Sequence, residues 1–290
     1  MVMDFKKIGI EDIGHLRECL EGYRGRICDI SPANLVFWRD WYDISYYSDE
    51  NDFVVRFGDM DDIVSYYCTP DAKIIDAILA FERGEVCFSC LTEEEVAFFT
   101  ERYECRDVRH SEDWDDYLYN AEDIITLKGK KYNGQRNHIN KFNRLYPNAR
   151  FEEINEANIE AVREFCYGYF HEFGIERAKV AGYEEKYLYE QLDNLSAYAQ
   201  RTGVLIIDGE VAGFSIGERV GDTLIIHTEK ANVKFGGVYP KLVQSFAQMH
   251  AKDVAFINRE EDCGEAGLRT SKRSYHPAQI LGKYSLIVEN

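Results

Sequence analysis

Two spacings of apolar residues alternate along the second half of the chain. Ile159, Val162, Phe165, Cys166, Tyr169, Phe170 and Phe173 recur every three or four positions, and Asn155 stands where a helix cap is expected. A second helical stretch covers 184–195. Apolar runs then flank Asp208-Gly209, a pair that favours a tight hairpin. A strand over 223–229 leads into a Gly236-Gly237 loop. The helix that follows has Pro240 in its first turn and apolar residues at Leu242, Val243, Phe246 and Met249. Strand 254–258, helix 265–274 and strand 284–288 complete this half, and a short strand over 150–154 precedes it.

The first half gives a comparable order. Strand 5–8 is followed by helices over 12–20 and 31–41, the latter with Pro32 at its first turn. Strands 44–47, 53–57 and 63–67, helix 71–81, strand 86–90, helix 93–102 and strand 123–127 follow. The two halves share no visible identity, so a repeat rests on element order alone. The expected organisation is a domain over 1–128, a connecting helix within 129–149 and a second domain over 150–290.

Charge changes the picture at that junction. The chain carries 52 acidic and 34 basic residues, a net charge of -18, yet 124–150 contains no Asp or Glu. Even spacing would put about five acids there. Instead the window holds Lys128, Lys130, Lys131, Arg136, Lys141, Arg144 and Arg150, with His138. On a helix over 130–145, Ile139, Phe142 and Tyr146 form an apolar stripe. Arg136, Asn137, Asn140, Asn143 and Arg144 lie on the polar side. Such an island in an acidic chain suits an anionic partner: a phosphate or pyrophosphate, a lipid headgroup met transiently, or an RNA backbone. The competing reading is a surface helix that neutralises acids of the same molecule.

Composition narrows the class further. No run approaches 18 apolar residues, so no transmembrane segment is expected, and Met1–Lys7 does not read as a signal peptide. A cytoplasmic location with reduced thiols is the expectation for the eight cysteines. Cys87 and Cys90 fall in a strand with no second pair of that spacing, so neither zinc nor redox chemistry is expected there. The acidic total argues against nonspecific DNA binding.

The element order resembles the GNAT-type acyltransferase fold in tandem: an α/β (α+β) architecture of two mixed central sheets flanked by helices. His227-Thr-Glu-Lys-Ala231, Gly237-Val-Tyr239 with Phe246-Ala247, and above all the run from Asn258 to Pro277 narrow this resemblance. They are similar to the phosphatidylglycerol lysyltransferase C-terminal family, the catalytic region of aminoacyl-lipid synthases and its stand-alone relatives. Lys130-Lys131 through Asn140-Lys-Phe142 and Tyr146 resembles a helix of that family. The resemblance implies transfer of an aminoacyl or acyl group to an amine or hydroxyl. The donor would be aminoacyl-tRNA, engaged at its acceptor end, or acyl-CoA, with no tightly bound cofactor.

Acyl transfer needs a donor site, a base and an oxyanion partner. In GNAT-type enzymes the pyrophosphate of coenzyme A lies at the loop corresponding to Lys230, Gly236, Gly237 and Val238; an ordinary strand-to-helix turn is the alternative. His227 and Glu229 share one face of a strand, making Glu229 the candidate base with His227 its neighbour or a substrate contact; a structural His–Glu pair or an edge position is the alternative. Arg259 follows a strand's carboxyl end, where open sheets bind ligands, and Glu260 is next to it. Arg269, Lys272, Arg273 and His276 recur at helical spacing. The resemblance moves Arg259, Arg269 and Lys272 toward substrate contact, with Lys131, Arg136 and Asn140 from the basic helix. Tyr275 is the candidate proton donor, a role a tyrosine often has in GNAT-type enzymes; a core position is the alternative. Glu229, Arg259, Arg269 and Lys272 are expected to converge. His171-Glu172 reads as a helix terminus. An acyl-CoA-dependent N-acyltransferase and a non-catalytic binding relative remain as alternatives.

Overall fold

A computed structural model describes residues 3–50, 52–60, 63–82, 84–171, 179–198 and 200–289. The chain divides into two units. One comprises Met1–Asp116, Glu261–Ala266 and Ile280–Asn290; the other comprises Tyr117–Glu260 and Gly267–Gln279.

The sheet of the first unit runs β1 (Lys6–Lys7), β2 (Ser45–Ser48), β3 (Phe53–Met60), β4 (Ile63–Cys68), β5 (Val86–Leu91), β14 (Tyr284–Val288) and β6 (Cys105–His110). Its helices are α1 (Ile13–Cys19), α2 (Pro32–Phe37), α3 (Ala72–Glu82) and α4 (Glu93–Arg102). Ser31 caps α2 through the Asn34 N–H. Thr92 and Glu95 form a reciprocal box at the start of α4, so two amides that would otherwise lack acceptors are satisfied.

The sheet of the second unit runs β13 (Gln279–Leu281), β7 (Asp116–Asn120), β12 (Phe256–Asn258), β11 (Thr223–Ala231), β10 (Glu210–Val220), β9 (Arg201–Ile207) and β8 (Arg150–Glu152). Its helices are α5 (Ala121–Thr126), α6 (Asn133–Leu145), α7 (Ile159–His171), α8 (Lys179–Asp193), α9 (Val238–His250) and α10 (Ala266–Arg273). Successive residues of β9 point to opposite faces. Val204 and Ile206 pack with Val162, Phe165 and Leu188 of α7 and α8. Leu205 and Ile207 pack with Phe142 of α6 and Leu242 of α9. The hairpin turn has Asp208 at φ 49° and Gly209 at φ 90°, the twist that two-residue hairpins need.

The two sheets share a plan. In each, three antiparallel strands are followed by a helix that crosses to a strand parallel to the third: β4, α3, β5 in one and β11, α9, β12 in the other. The next position holds an antiparallel strand that is remote in sequence, β14 beside β5 and β7 beside β12. A mixed α/β fold with two such sheets is what the element order implied.

Several expectations need correction. Strand 284–288, assigned to the second half, lies in the first sheet, and the first unit ends at Asp116 rather than at 128. Residues 123–127 are not a strand: Ala121, Ile124 and Leu127 are buried at helical spacing, and Leu127 ends α5 at φ 47°. β7 was not expected because Tyr117, Leu118 and Tyr119 are all buried and show no alternation. The basic helix α6 belongs to the second unit, with Phe142 in its core. Phe173 and Glu172 lie outside the described residues.

Candidate functional site

The strand order of the second unit brings together residues that are far apart in sequence. β11 and β12 are parallel neighbours, so Glu229 near the end of one strand lies close to Arg259 just after the other. Glu229 Oε2 accepts from Arg259 Nε at 2.9 Å and Nη2 at 2.6 Å. The guanidinium lies 4.9 Å from the Tyr275 ring centroid and 6.0 Å from that of Tyr119. Burial alone would push the Arg259 pKa down. The Glu229 carboxylate and the two tyrosines outweigh it, so Arg259 is held cationic. Burial raises the Tyr275 pKa and Arg259 pulls it back, leaving it at about 12.

Three buried polar atoms here make no hydrogen bond among the described residues: Glu229 Oε1, Arg259 Nη1 and Ser215 Oγ. Ser215 on β10 pairs directly with Glu229 across the β10–β11 ladder, so their side chains share a face. One atom is an obligate acceptor, one an obligate donor and one can act as either. Buried polar groups are rarely left unpaired, which makes three on adjoining residues notable.

Lys272 is buried, and its ammonium donates to the backbone carbonyls of Arg259 at 2.6 Å and Glu260 at 3.1 Å. It therefore fixes the loop that carries Arg259. Arg269, three residues earlier on α10, is half-buried. Of the four residues expected to converge, Glu229 and Arg259 bond directly and Lys272 supports them through the backbone.

His227 is buried between two carboxylates, Glu260 Oε1 at 2.8 Å from Nδ1 and Glu218 Oε1 at 3.3 Å from Nε2. Burial would lower its pKa, but both acids raise it, and it settles at about 9. At neutral pH this ring is an imidazolium with both N–H groups engaged, which is unsuited to act as a base. Asn258 Oδ1 accepts the Glu260 N–H at 2.7 Å, and Glu260 has φ 56°, so a local Asx turn aims the carboxylate at His227.

In the Gly-Gly loop, Gly237 is the residue in close contact. Gly237 has φ 86°, and a Cβ there would lie 2.7 Å from the His138 carbonyl of α6. The glycine thus permits α6 to approach α9. Gly236 has open space around it. The Val238 N–H bonds the Phe235 carbonyl at 3.0 Å, and Pro240 has no N–H, so the start of α9 offers few donors to a pyrophosphate. Lys230 pairs with Glu184 at 2.6 Å and lies over the rings of Tyr169 and Phe170.

The island also resolves into separate roles. Lys131 pairs with Asp123 at 3.2 Å, and Lys128 and Arg150 face Glu122 and Glu152. Arg136 donates to the Leu127 and Gly129 carbonyls and to Asn133, closing the carboxyl end of α5. Asn137, Asn140, Asn143 and Arg144 line an open groove of about 610 Å³. His171 bonds Glu185 at 2.7 Å, as a helix-terminus residue does.

Sequence reasoning missed Ser215, Tyr119 and Glu218. Ser215 and Glu218 become visible only through strand register, and Tyr119 lies on the unrecognised strand β7.

In the first unit, the Lys283 ammonium is buried among Asp29 Oδ2 at 2.5 Å, Asp116 Oδ1 at 2.8 Å and Glu261 Oε2 at 3.1 Å. Cys28 Sγ is 3.2 Å from it. Cys28, Asp29 and Asp116 are close enough to share a metal ion, but the lysine already supplies the cation.

A model of the family "Phosphatidylglycerol lysyltransferase, C-terminal" matches residues 22–287. An uncharacterized protein of Mycoplasmoides gallisepticum is 24% identical over 197 residues, covering 67% of this chain and 62% of that relative, so the match spans less than two thirds of its length. A conserved protein of unknown function from Bacteroides thetaiotaomicron is 27% identical, with a TM-score of 0.92 over 99% of this chain and 100% of its own. The C-terminal domain of a putative lysylphosphatidylglycerol synthetase from Agrobacterium fabrum has a TM-score of 0.66 at 12% identity, covering 96% and 91% of the two chains. A tandem GNAT protein from the clavulanic acid biosynthesis pathway has a TM-score of 0.52 at 9% identity, covering 99% and 98%. These last two show a shared fold, the GNAT-like one. No described helix is long and apolar enough to cross a membrane. With its family model matched from residue 22 to residue 287, this chain belongs to the phosphatidylglycerol lysyltransferase C-terminal family.

Proposed function

We propose that the second unit transfers an aminoacyl group from an aminoacyl-RNA to an amine or hydroxyl acceptor, with Glu229, Arg259 and Tyr275 at the reacting centre. The observation that carries this reading is the set of unpaired atoms, Glu229 Oε1, Arg259 Nη1 and Ser215 Oγ. In acyl transfer a nucleophile must lose a proton while the carbonyl oxygen gains negative charge. Glu229 Oε1 accepts the proton of the attacking N–H or O–H. Arg259 Nη1 donates to the oxyanion. Tyr275, protonated at neutral pH with its pKa at about 12, returns a proton to the leaving oxygen. The low dielectric around this buried pair strengthens each contact.

The start of α9 supports an RNA-borne donor over acyl-CoA. An acyl-CoA would need the turn at Gly236–Val238 for its pyrophosphate, yet α6 packs against Gly237 and the Val238 amide is engaged. An aminoacyl ester of RNA makes no such demand. The names of the family and of the Agrobacterium relative support a lysyl or similar aminoacyl group.

Replacing Glu229 with Gln tests the role of the base. Transfer from radiolabelled lysyl-tRNA to phosphatidylglycerol vesicles, or to a soluble amine, should fall by about a hundredfold or more. Unchanged transfer by a folded Glu229→Gln variant would remove the base assignment.

A further inference from the structure

The groove along α6 belongs to neither the reacting centre nor the packing of α9. Asn137, Asn140, Lys141 and Arg144 project within roughly 100° of one another around the helix, with Asn143 at the margin. Gln135, Ile139 and Phe142 occupy the opposite, buried side. Asn137, Asn140, Lys141, Asn143 and Arg144 are all exposed. Most other cations of the island have intramolecular partners, whereas Lys141 and Arg144 make no ion pair or hydrogen bond among the described residues. The stripe thus presents two cations of the island that are open to an external anion.

We propose that this face of α6 is the surface on which the RNA carrying the aminoacyl group docks, an inference that rests on the aminoacyl-RNA reading above. Two features favour RNA. Lys141 and Arg144 supply phosphate contacts, and Arg144 adds a planar fork suited to phosphate oxygens. The asparagine amides both donate and accept, which suits ribose 2′-hydroxyls and base edges. A membrane surface would instead favour apolar or aromatic side chains beside the cations, and the groove lining is amide and guanidinium. The net charge of -18 repels a polyanion elsewhere, so approach is steered to this stripe. Asn137 and Arg144 are about 10 Å apart along the helix, which limits the contact to a short stretch of strand.

The test is a titration of a labelled RNA hairpin that carries no aminoacyl group and has a single-stranded 3′ end, between about 50 and 200 mM salt. Two phosphate contacts predict a slope of log K against log salt of about -1.4, a sevenfold loss over that range. The Lys141→Gln/Arg144→Gln variant should bind at least about tenfold more weakly at low salt and lose the slope. The exposed control Lys252→Gln should bind as the wild type does. Asn137→Ala/Asn140→Ala should reduce the preference for RNA over DNA of the same sequence. All these residues are exposed, and thermal unfolding would confirm intact folding. Equal RNA affinity in the Lys141/Arg144 variant overturns the proposal. So does binding of phosphatidylglycerol vesicles, but not RNA, that depends on these two residues. Because the probe carries no aminoacyl group, the two readings fail separately. RNA binding on α6 without transfer activity would remove the catalytic centre alone, and transfer without α6-dependent binding would remove this surface alone.

Discussion

Lys283→Met perturbs the most heavily buried charge network of the first unit. Its ammonium lies within 2.5–3.1 Å of Asp29, Asp116 and Glu261, and Asp116 has no exposed side-chain surface. Removing the cation leaves the Asp116 carboxylate facing neutral donors such as the Cys28 N–H at 2.7 Å and the Cys28 thiol at 3.3 Å. Breaking a buried pair from one side costs about 3–5 kcal/mol, and that is the expected loss at pH 7. The pH dependence gives a second readout. Burial pushes the Asp116 carboxyl up, Lys283 pulls it back, and the other acids push it up again, to about 6. The folded state therefore holds this proton more tightly than the unfolded chain, and stability falls as pH rises from about 4 to 6. Without Lys283 that window extends upward past neutrality. The variant should regain up to about 1.4 kcal/mol per unit as pH drops from 7 to 5. Trp38, Trp41 and Trp114 all lie in the first unit, so tryptophan fluorescence in urea follows this unit selectively. Lys283→Arg should keep most of the stability. A Lys283→Met midpoint within about 0.5 kcal/mol of wild type, flat between pH 5 and 7, would refute the charge-balance argument.

Three further outcomes follow from particular contacts. His227 has its pKa raised to about 9, so its contribution is complete below pH 6.5 and lost as pH rises to 9, a difference of about 3 kcal/mol. In urea, the gap between wild type and His227→Gln should shrink over that window; a constant gap would mean that the two carboxylates do not hold the ring cationic. Gly237→Ala should destabilise by about 1–3 kcal/mol, since it combines a left-handed φ with contact against the His138 carbonyl. A melting temperature equal to wild type would contradict the close α6–α9 approach. Arg136→Gln should cost about 1–2 kcal/mol of stability, because it releases the carbonyls that end α5. Unaltered stability with weakened RNA binding would return Arg136 to the binding surface.

Where local chemistry decides structure, the sequence was legible. The Asp208-Gly209 hairpin, the helix over 93–102 and the apolar face of α9 all appear where residue pattern put them. β14 was misassigned because its partners β5 and β6 are remote in sequence, and no local signal records them. α5 was misread because a short apolar run has no clear period. The pairing of Glu229 with Arg259 could be anticipated from two strand ends that a parallel crossover makes neighbours. Ser215 could not, because its place opposite Glu229 depends on ladder register. The basic island misled for a physical reason. Composition counts charges without their partners, and Asp123, which engages Lys131, lies one position outside the acid-free window.

The central claim is that the second unit consumes an aminoacyl ester of RNA. The most direct measurement offers one protein sample two labelled donors, lysyl-tRNA and an acyl-CoA, with a common amine acceptor, and follows the single-turnover loss of each. The account predicts loss of the RNA ester at a rate that Glu229→Gln lowers by about a hundredfold or more, with the thioester intact. Release of free coenzyme A with the RNA ester untouched would contradict it.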